Sequence, residues 1–245
     1  MNPFMLELTL EERFVAVWVR IIKACGRAGR SVEEVTLVAV TKTVSVEVAS
    51  AVATAGVPTT FPQRGRGPVD LGENRPQELW KKAAAIPSAR WHLIGHLQRN
   101  KIEKTVPLVT LIHSVDSERL LLALDEFGNR RGQPVPVLLE VNCSREEAKG
   151  GFRPEDVPSL SDKLAALTGV RIDGLMTMAA FHDDPENSRP TFAELRQLRD
   201  RLARDTGLSL PHLSMGMSND FEVAIEEGAT LVRIGTTLFA GLEEE

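Results

Sequence analysis

The sequence predicts a closed (β/α)8 barrel, and three observations carry that prediction. Eight short apolar runs, at 36–41, 69–72, 91–95, 108–113, 135–141, 174–178, 213–217 and 231–234, recur along the 245 residues. Helical patterns fill the intervals between them, so strands alternate with helices and are expected to pair in parallel. Eight such units close into a TIM barrel more readily than they spread into an open sheet, and a single α/β barrel domain of this length is ordinary.

Each element has its own signal. Thr9-Leu-Glu-Glu12 reads as a capping box that opens an extra N-terminal helix through Phe14, Val17, Trp18, Ile21 and Ile22, stopped near Gly26 and Gly29. That helix is expected over about 9–28, packed on a barrel spanning about 31–241. Later helices are marked by Leu120, Leu121, Leu124 and Phe127, ended by Gly128, and by Phe192, Leu195, Leu198 and Leu202, ended near Gly207. The stretch 58–68 carries prolines, glycines and two arginines and reads as an inserted loop. It precedes the second strand and so is expected on the side away from the barrel mouth.

Composition narrows the function classes. A net charge of -5 argues against a protein that tracks nucleic-acid phosphates, so any anion site is expected to be local. No run approaches the roughly 18 apolar residues of a membrane span. The N-terminus lacks a basic secretory leader, and Cys25 and Cys143 have no metal-ligand spacing, which together point to the cytoplasm.

The chemistry concentrates at strand ends. Ser214, Gly216 and Ser218 lie after the seventh strand, just before a helical run at 219–227, and Gly235 and Thr236 follow the eighth. Hydroxyls, close backbone approach and free N–H groups at such positions suit a phosphate. Lys42 ends the first strand, which adjoins the eighth in a closed barrel, and a lysine buried there is costly unless something uses it. A phosphate cradle beside a strand-end lysine points to a phosphorylated carbonyl compound held as a Schiff base, for which pyridoxal 5'-phosphate is the commonest ligand.

Ala39-Val-Thr-Lys-Thr43, Gly72-Glu-Asn74, Trp91-His-Leu-Ile-Gly95, Gly174-Leu-Met176, Leu213-Ser-Met-Gly-Met-Ser218 and Val232-Arg-Ile-Gly235 together resemble the pyridoxal phosphate homeostasis protein family, over about 31–241. The resemblance implies a fold type III barrel similar to the N-terminal barrel of alanine racemase. It implies vitamin B6 and amino-acid homeostasis without established turnover. By motif, Lys42 would form the Schiff base, Ser214, Ser218, Gly235 and Thr236 would meet the phosphate, and Arg233 would face the pyridine nitrogen. Asn74 would lie near the ring, with Met176, Met215 and Met217 as apolar walls. An arginine carries no acceptor, so the nitrogen facing it stays unprotonated and the ring is a weaker electron sink.

Every assignment has a structural alternative. Taken alone Lys42 reads as a solvent-reaching lysine, a balance the ordered motifs reverse; Ser218 and Asn219 can cap the following helix, Arg233 has Glu73 or Glu140 as a partner, and His92 fits a hydrogen-bonded core position. A racemase of the same fold type is the second functional reading, but the opposite-face tyrosine of alanine racemases has no counterpart, because the chain contains no tyrosine. Expected partners are the cofactor and apo-enzymes that use it, with the protein a monomer or weak dimer.

Overall fold

In the computed structural model, which describes residues 2–55 and 69–243, eight parallel strands close into a barrel in sequence order. They are β1 (Thr36–Val40), β2 (Asp70–Glu73), β3 (Arg90–Leu93), β4 (Leu111–Val115), β5 (Val135–Glu140), β6 (Val170–Met176), β7 (His212–Ser214) and β8 (Leu231–Ile234). The seam is a four-residue register between β1 and β8, with Val38 opposite Arg233 and Ala39 opposite Ile234. The loop expected at 58–68 lies outside the described residues.

All eight strands fall near the expected runs, with shifts at their ends. β4 begins three residues late because Pro107 belongs to a 3-10 turn, Val106–Leu108, where proline fits an initial position. β6 begins four residues early, since Val170, Ile172 and Gly174 continue its alternation around an exposed Arg171.

The N-terminal helix α1 is longer than predicted and runs over Pro3–Ala28. Thr9 does not open it. Asn2 is the N-cap, its side chain accepting from the Phe4 N–H, and Pro3 takes the first helical position, where a missing N–H costs nothing. Gly29 ends it in the left-handed conformation at φ 64°, while Gly26 stays inside the helix. Leu10, Phe14, Val17, Trp18 and Ile21 form its buried stripe, each contributing about 1.5–3 kcal/mol. That stripe packs on α8 (Phe221–Glu226), α9 (Thr236–Phe239) and α2 (Val46–Ala55), which places α1 across the β1–β8 side of the barrel.

Gly128 was expected to stop the helix containing Leu120 and Leu124, yet α5 runs through it over Glu118–Arg131 and is capped by Gly132. Its lack of a side chain serves close packing instead. A Cβ at Gly128 would lie 1.7 Å from the carbonyl oxygen of Gly169, so only glycine lets α5 approach the chain entering β6. The helix α7 (Arg189–Thr206) stops at Gly207 as expected, with α3 (Pro76–Ala85), α4 (Ile102–Thr105) and α6 (Ser161–Ala166) completing the helices named here.

Candidate functional site

Alternation along each strand sends one set of side chains into the barrel and the other toward the helices. Val38, Leu111, Leu138, Met176 and Leu231 form a small apolar plug, with Met178 packed on it. The other buried cluster, which includes Leu37, Ala39, Leu213, Met215, Val232 and Ile234, lies between sheet and helices. Beside the plug the barrel is unusually polar, with Asp70, His92, His113, Ser214 and Arg233 all buried.

Arg233 is 4% exposed and carries the only buried guanidinium among the described residues. Its Nη1 donates to Ser214 Oγ at 2.6 Å and its Nη2 to the Thr177 carbonyl at 3.0 Å, so the group spans the C-terminal ends of β6 and β7. Neither Glu73 nor Glu140 pairs with it. Burial pulls its pKa down to about 10, with Asp220 and Glu140 opposing from a distance, and it remains a cation at neutral pH. Two acceptors leave most of the five N–H donors of a guanidinium for something else.

Glu73 faces the other way, toward α3. Its Oε1 accepts from Thr41 Oγ1 and from Lys82 Nζ, each at 2.7 Å, and Lys82 also donates to the Thr41 carbonyl at 2.7 Å. The pair is almost fully buried and fixes the turn that carries Lys42. Lys42 itself is exposed rather than desolvated, because β1 ends at Val40 and the chain turns before it. Gly235, after β8, lies beside Val40, with a built Cβ 3.5 Å from the Val40 carbonyl oxygen. Asn74 is half-buried just past β2.

The loops after β7 and β8 meet. Ser218 Oγ accepts from the Thr237 N–H at 3.2 Å, and Asn219 Nδ2 donates to the His182 carbonyl at 2.8 Å, so neither side chain caps α8. Gly216 sits at φ 90°, and a Cβ there would come within 2.8 Å of Phe221 Cα. Asp220 closes the loop by accepting from the Met217 N–H at 2.7 Å. Between these loops lies a cleft of about 510 Å³ lined by Ser218, Asn219, Thr236 and Thr237, together with Arg13 of α1 and Phe181.

Two of the residues singled out in the sequence sit apart from this cleft. Ser214 is fully buried with its hydroxyl held by Arg233 and by His113 Nδ1 at 2.7 Å, so it faces the barrel interior and not the phosphate-type cleft. Met215 follows it on the opposite face and belongs to the packing under the helices, because alternation cannot send both neighbours inward. Met176 is in the plug and Met217 is 37% exposed. His92 is hydrogen-bonded in the core as expected, to His113 and Asp70. Arg13, Lys82, Asp70 and His113 were missed; strand parity alone marks Asp70, His92 and His113 as inward positions.

At the rim, burial and the nearby Asp116 push the Glu140 carboxyl up to about 7. His96 Nδ1 lies 2.8 Å from Asp116 Oδ2 in a more open setting.

The alanine racemase N-terminal domain family model matches residues 30–243. The pyridoxal phosphate homeostasis protein of Aquifex aeolicus is 44% identical over 93% of this chain and 96% of its own. That of Deinococcus radiodurans is 42% identical over 92% and 98%. This chain belongs to the pyridoxal phosphate homeostasis protein family. Among solved structures, PipY of Synechococcus elongatus with pyridoxal phosphate bound is 32% identical, with a TM-score of 0.77 over 94% of this chain and 100% of that one. Alanine racemase of Corynebacterium glutamicum, at 18% identity and a TM-score of 0.70, shares the fold.

Proposed function

We propose that this protein binds pyridoxal 5'-phosphate at the C-terminal mouth of its barrel and serves intracellular cofactor and amino-acid homeostasis. The observation that carries the reading is Arg233, a buried cation at the strand ends with no carboxylate partner among the described residues and with donors to spare. Such a group suits the unprotonated nitrogen of a pyridine ring, which only accepts. Ser218 and Thr236, which line the cleft between the β7 and β8 loops, suit the phosphate, as does Gly235, which directly precedes Thr236. Lys42, at the end of the strand adjoining β8, is the amine for the aldehyde, and Asn74 flanks the ring. When bound, the cofactor supplies an electrophilic aldehyde carbon and a ring that takes up electron density.

This chain's residues then have separate tasks. Arg233 orients the ring and keeps its nitrogen from being protonated. Thr41, clamped by Lys82 and Glu73, holds the turn of Lys42. Ser214 acts on the ring only through Arg233, and Met215 supports the β7 loop from behind. The reading includes delivery to apo-enzymes by a monomer or weak dimer in the cytoplasm, and two features are compatible with it. Both cysteines are buried with thiol pKa values pushed upward, and no described helix is long and apolar enough to cross a membrane.

The test is an absorption spectrum after adding pyridoxal phosphate, followed by borohydride reduction and peptide mass spectrometry. A visible band and an adduct on Lys42 are expected, and Lys42→Ala should lose both. An adduct on Lys101 or another lysine removes Lys42 from its role. Pyridoxal without phosphate should bind far more weakly, since charge-assisted hydrogen bonds contribute about 1.5–3 kcal/mol each. D-alanine formation from L-alanine should be negligible in a chain without tyrosine.

A further inference from the structure

Behind Arg233 the barrel interior holds a chain of side chains, of which the cofactor reading uses only the arginine and, through it, Ser214. Asp70 of β2, His92 of β3, His113 of β4, Ser214 of β7 and Arg233 of β8 are consecutive hydrogen-bond partners. His92 Nε2 lies 2.9 Å from Asp70 Oδ1, His92 Nδ1 2.8 Å from His113 Nε2, and His113 Nδ1 2.7 Å from Ser214 Oγ, which accepts from Arg233 at 2.6 Å. Arg90 closes the far end, its Nε donating to Asp70 Oδ1 at 2.7 Å.

Counting donors assigns the protons. Asp70 is an anion, because hydrogen bonds from His92 and Arg90 outweigh the burial that opposes its charge. It accepts, so His92 donates through Nε2. Burial, with His92, Arg233 and His212 nearby, drives the pKa of His113 well down, leaving that ring neutral with a single proton. Ser214 has one hydroxyl proton and two partners, and Arg233 can only donate to it. The hydroxyl proton therefore has one acceptor, His113 Nδ1, which puts the His113 proton on Nε2 and makes His92 Nδ1 its acceptor. In the reverse order, the Ser214 O–H would be left without an acceptor at a site with no solvent exposure, a cost of about 1–3 kcal/mol. Every donor thus points from Arg233 toward Asp70, with no gap.

We propose that Asp70, His92, His113 and Ser214 form a one-way hydrogen-bond relay that aims the Arg233 guanidinium, making them positioning residues for the ring-binding arginine. The role of Arg233 toward a pyridine rests on the cofactor reading above; the proton order of the relay does not. The arrangement fixes Ser214 as an acceptor toward Arg233, because its own proton is committed to His113. It also anchors the arginine at the C-terminal end of the barrel to a carboxylate at the N-terminal end of β2.

Two measurements test it. In the cofactor-free protein, long-range ¹H–¹⁵N imidazole spectra should show both His92 and His113 protonated on Nε2 and bare on Nδ1; a proton on His113 Nδ1 overturns the relay. With pyridoxal phosphate added, Ser214→Ala should weaken binding about tenfold and shift the visible band, Ser214→Thr should stay within about threefold of wild type, and Ser214→Ala combined with His113→Leu should add little to either alone. Additive losses, or a Ser214→Ala protein that binds and absorbs like wild type, overturn it as well. Thermal midpoints identify any variant that fails to fold, in which case the tautomers of the wild-type protein decide. No visible band in the wild-type protein refutes the cofactor reading while the imidazole spectra still decide the relay.

Discussion

Two buried cations stand a few strands apart and differ in how their charge is met. Lys82, 3% exposed, is seated outside the sheet against a carboxylate and a carbonyl. Arg233, 4% exposed and inside the barrel, has a hydroxyl and a carbonyl and no anion in contact. A buried charge is tolerated when it is paired and hydrogen-bonded, and otherwise it imposes a cost that folding alone does not explain. Lys82 is complete without any ligand. Arg233 is not, and on the proposed cofactor reading that asymmetry separates a structural cation from one kept for binding.

The comparison breaks most directly at Lys82. Lys82→Met leaves Glu73 buried with its cation gone and only the Thr41 hydroxyl as a partner, and Glu73 Oε2 already lacks a hydrogen bond. A loss of about 3–5 kcal/mol is expected by denaturant unfolding. A loss under 1 kcal/mol would mean that the pair is not what fixes the Lys42 turn.

Arg233→Leu should behave oppositely. Removing an unpaired buried cation is expected to change the stability of the cofactor-free protein by less than about 1 kcal/mol, or to raise it, because the desolvation cost goes with it. The same variant should lose the visible cofactor band. Large destabilisation without loss of binding would show Arg233 to be the structural cation of the two.

Glu140 sharpens the contrast, as the carboxyl that influences Arg233 without touching it. Its pKa is about 7 in the folded protein against 4.5 ordinarily, so the folded state holds the proton more tightly. The resulting stability is fully present below about pH 4.5 and is lost as pH rises through about 7. Glu140→Gln should flatten this part of the pH profile and leave the variant more stable than wild type at pH 8 by about 1–3 kcal/mol. Equal stabilities at pH 5 and pH 8 in both proteins would show that Glu140 is more solvated than its burial indicates.

How much of this was legible in the sequence follows from which interactions are local. Apolar runs and the stop at Gly207 depend on near neighbours, and the strands appeared within a few residues of their places. Gly128 misled because its signal, a glycine after an apolar helical set, is the same for a cap and for close packing on Gly169, 41 positions away in sequence. At the mouth, the motifs drew attention to Lys42 and Arg233, but the partners of Arg233 depend on register between strands. Ser214 reads as a phosphate ligand from a hydroxyl placed just before a helical run; its contact with His113, 101 residues away, depends on register between distant strands and has no local signal. The alternation of Ser214 and Met215 was readable in principle and would have turned Met215 outward.

The helix α1 has a consequence for how the chain is made. Arg20 holds Glu222 with both carboxylate oxygens, Arg27 holds Glu226, and Arg30 donates to the carbonyls of Ile225 and Ala229, while Arg13 reaches the carbonyl of Leu238. This segment is therefore docked on segments that follow it by roughly two hundred residues in sequence. Its apolar stripe emerges from the ribosome roughly two hundred residues before its seat exists, at about 5–20 residues per second a wait of some ten to forty seconds. For that interval Phe14, Val17 and Trp18 lack the seat that α8 and α9 provide, and translation of those two helices is what supplies it.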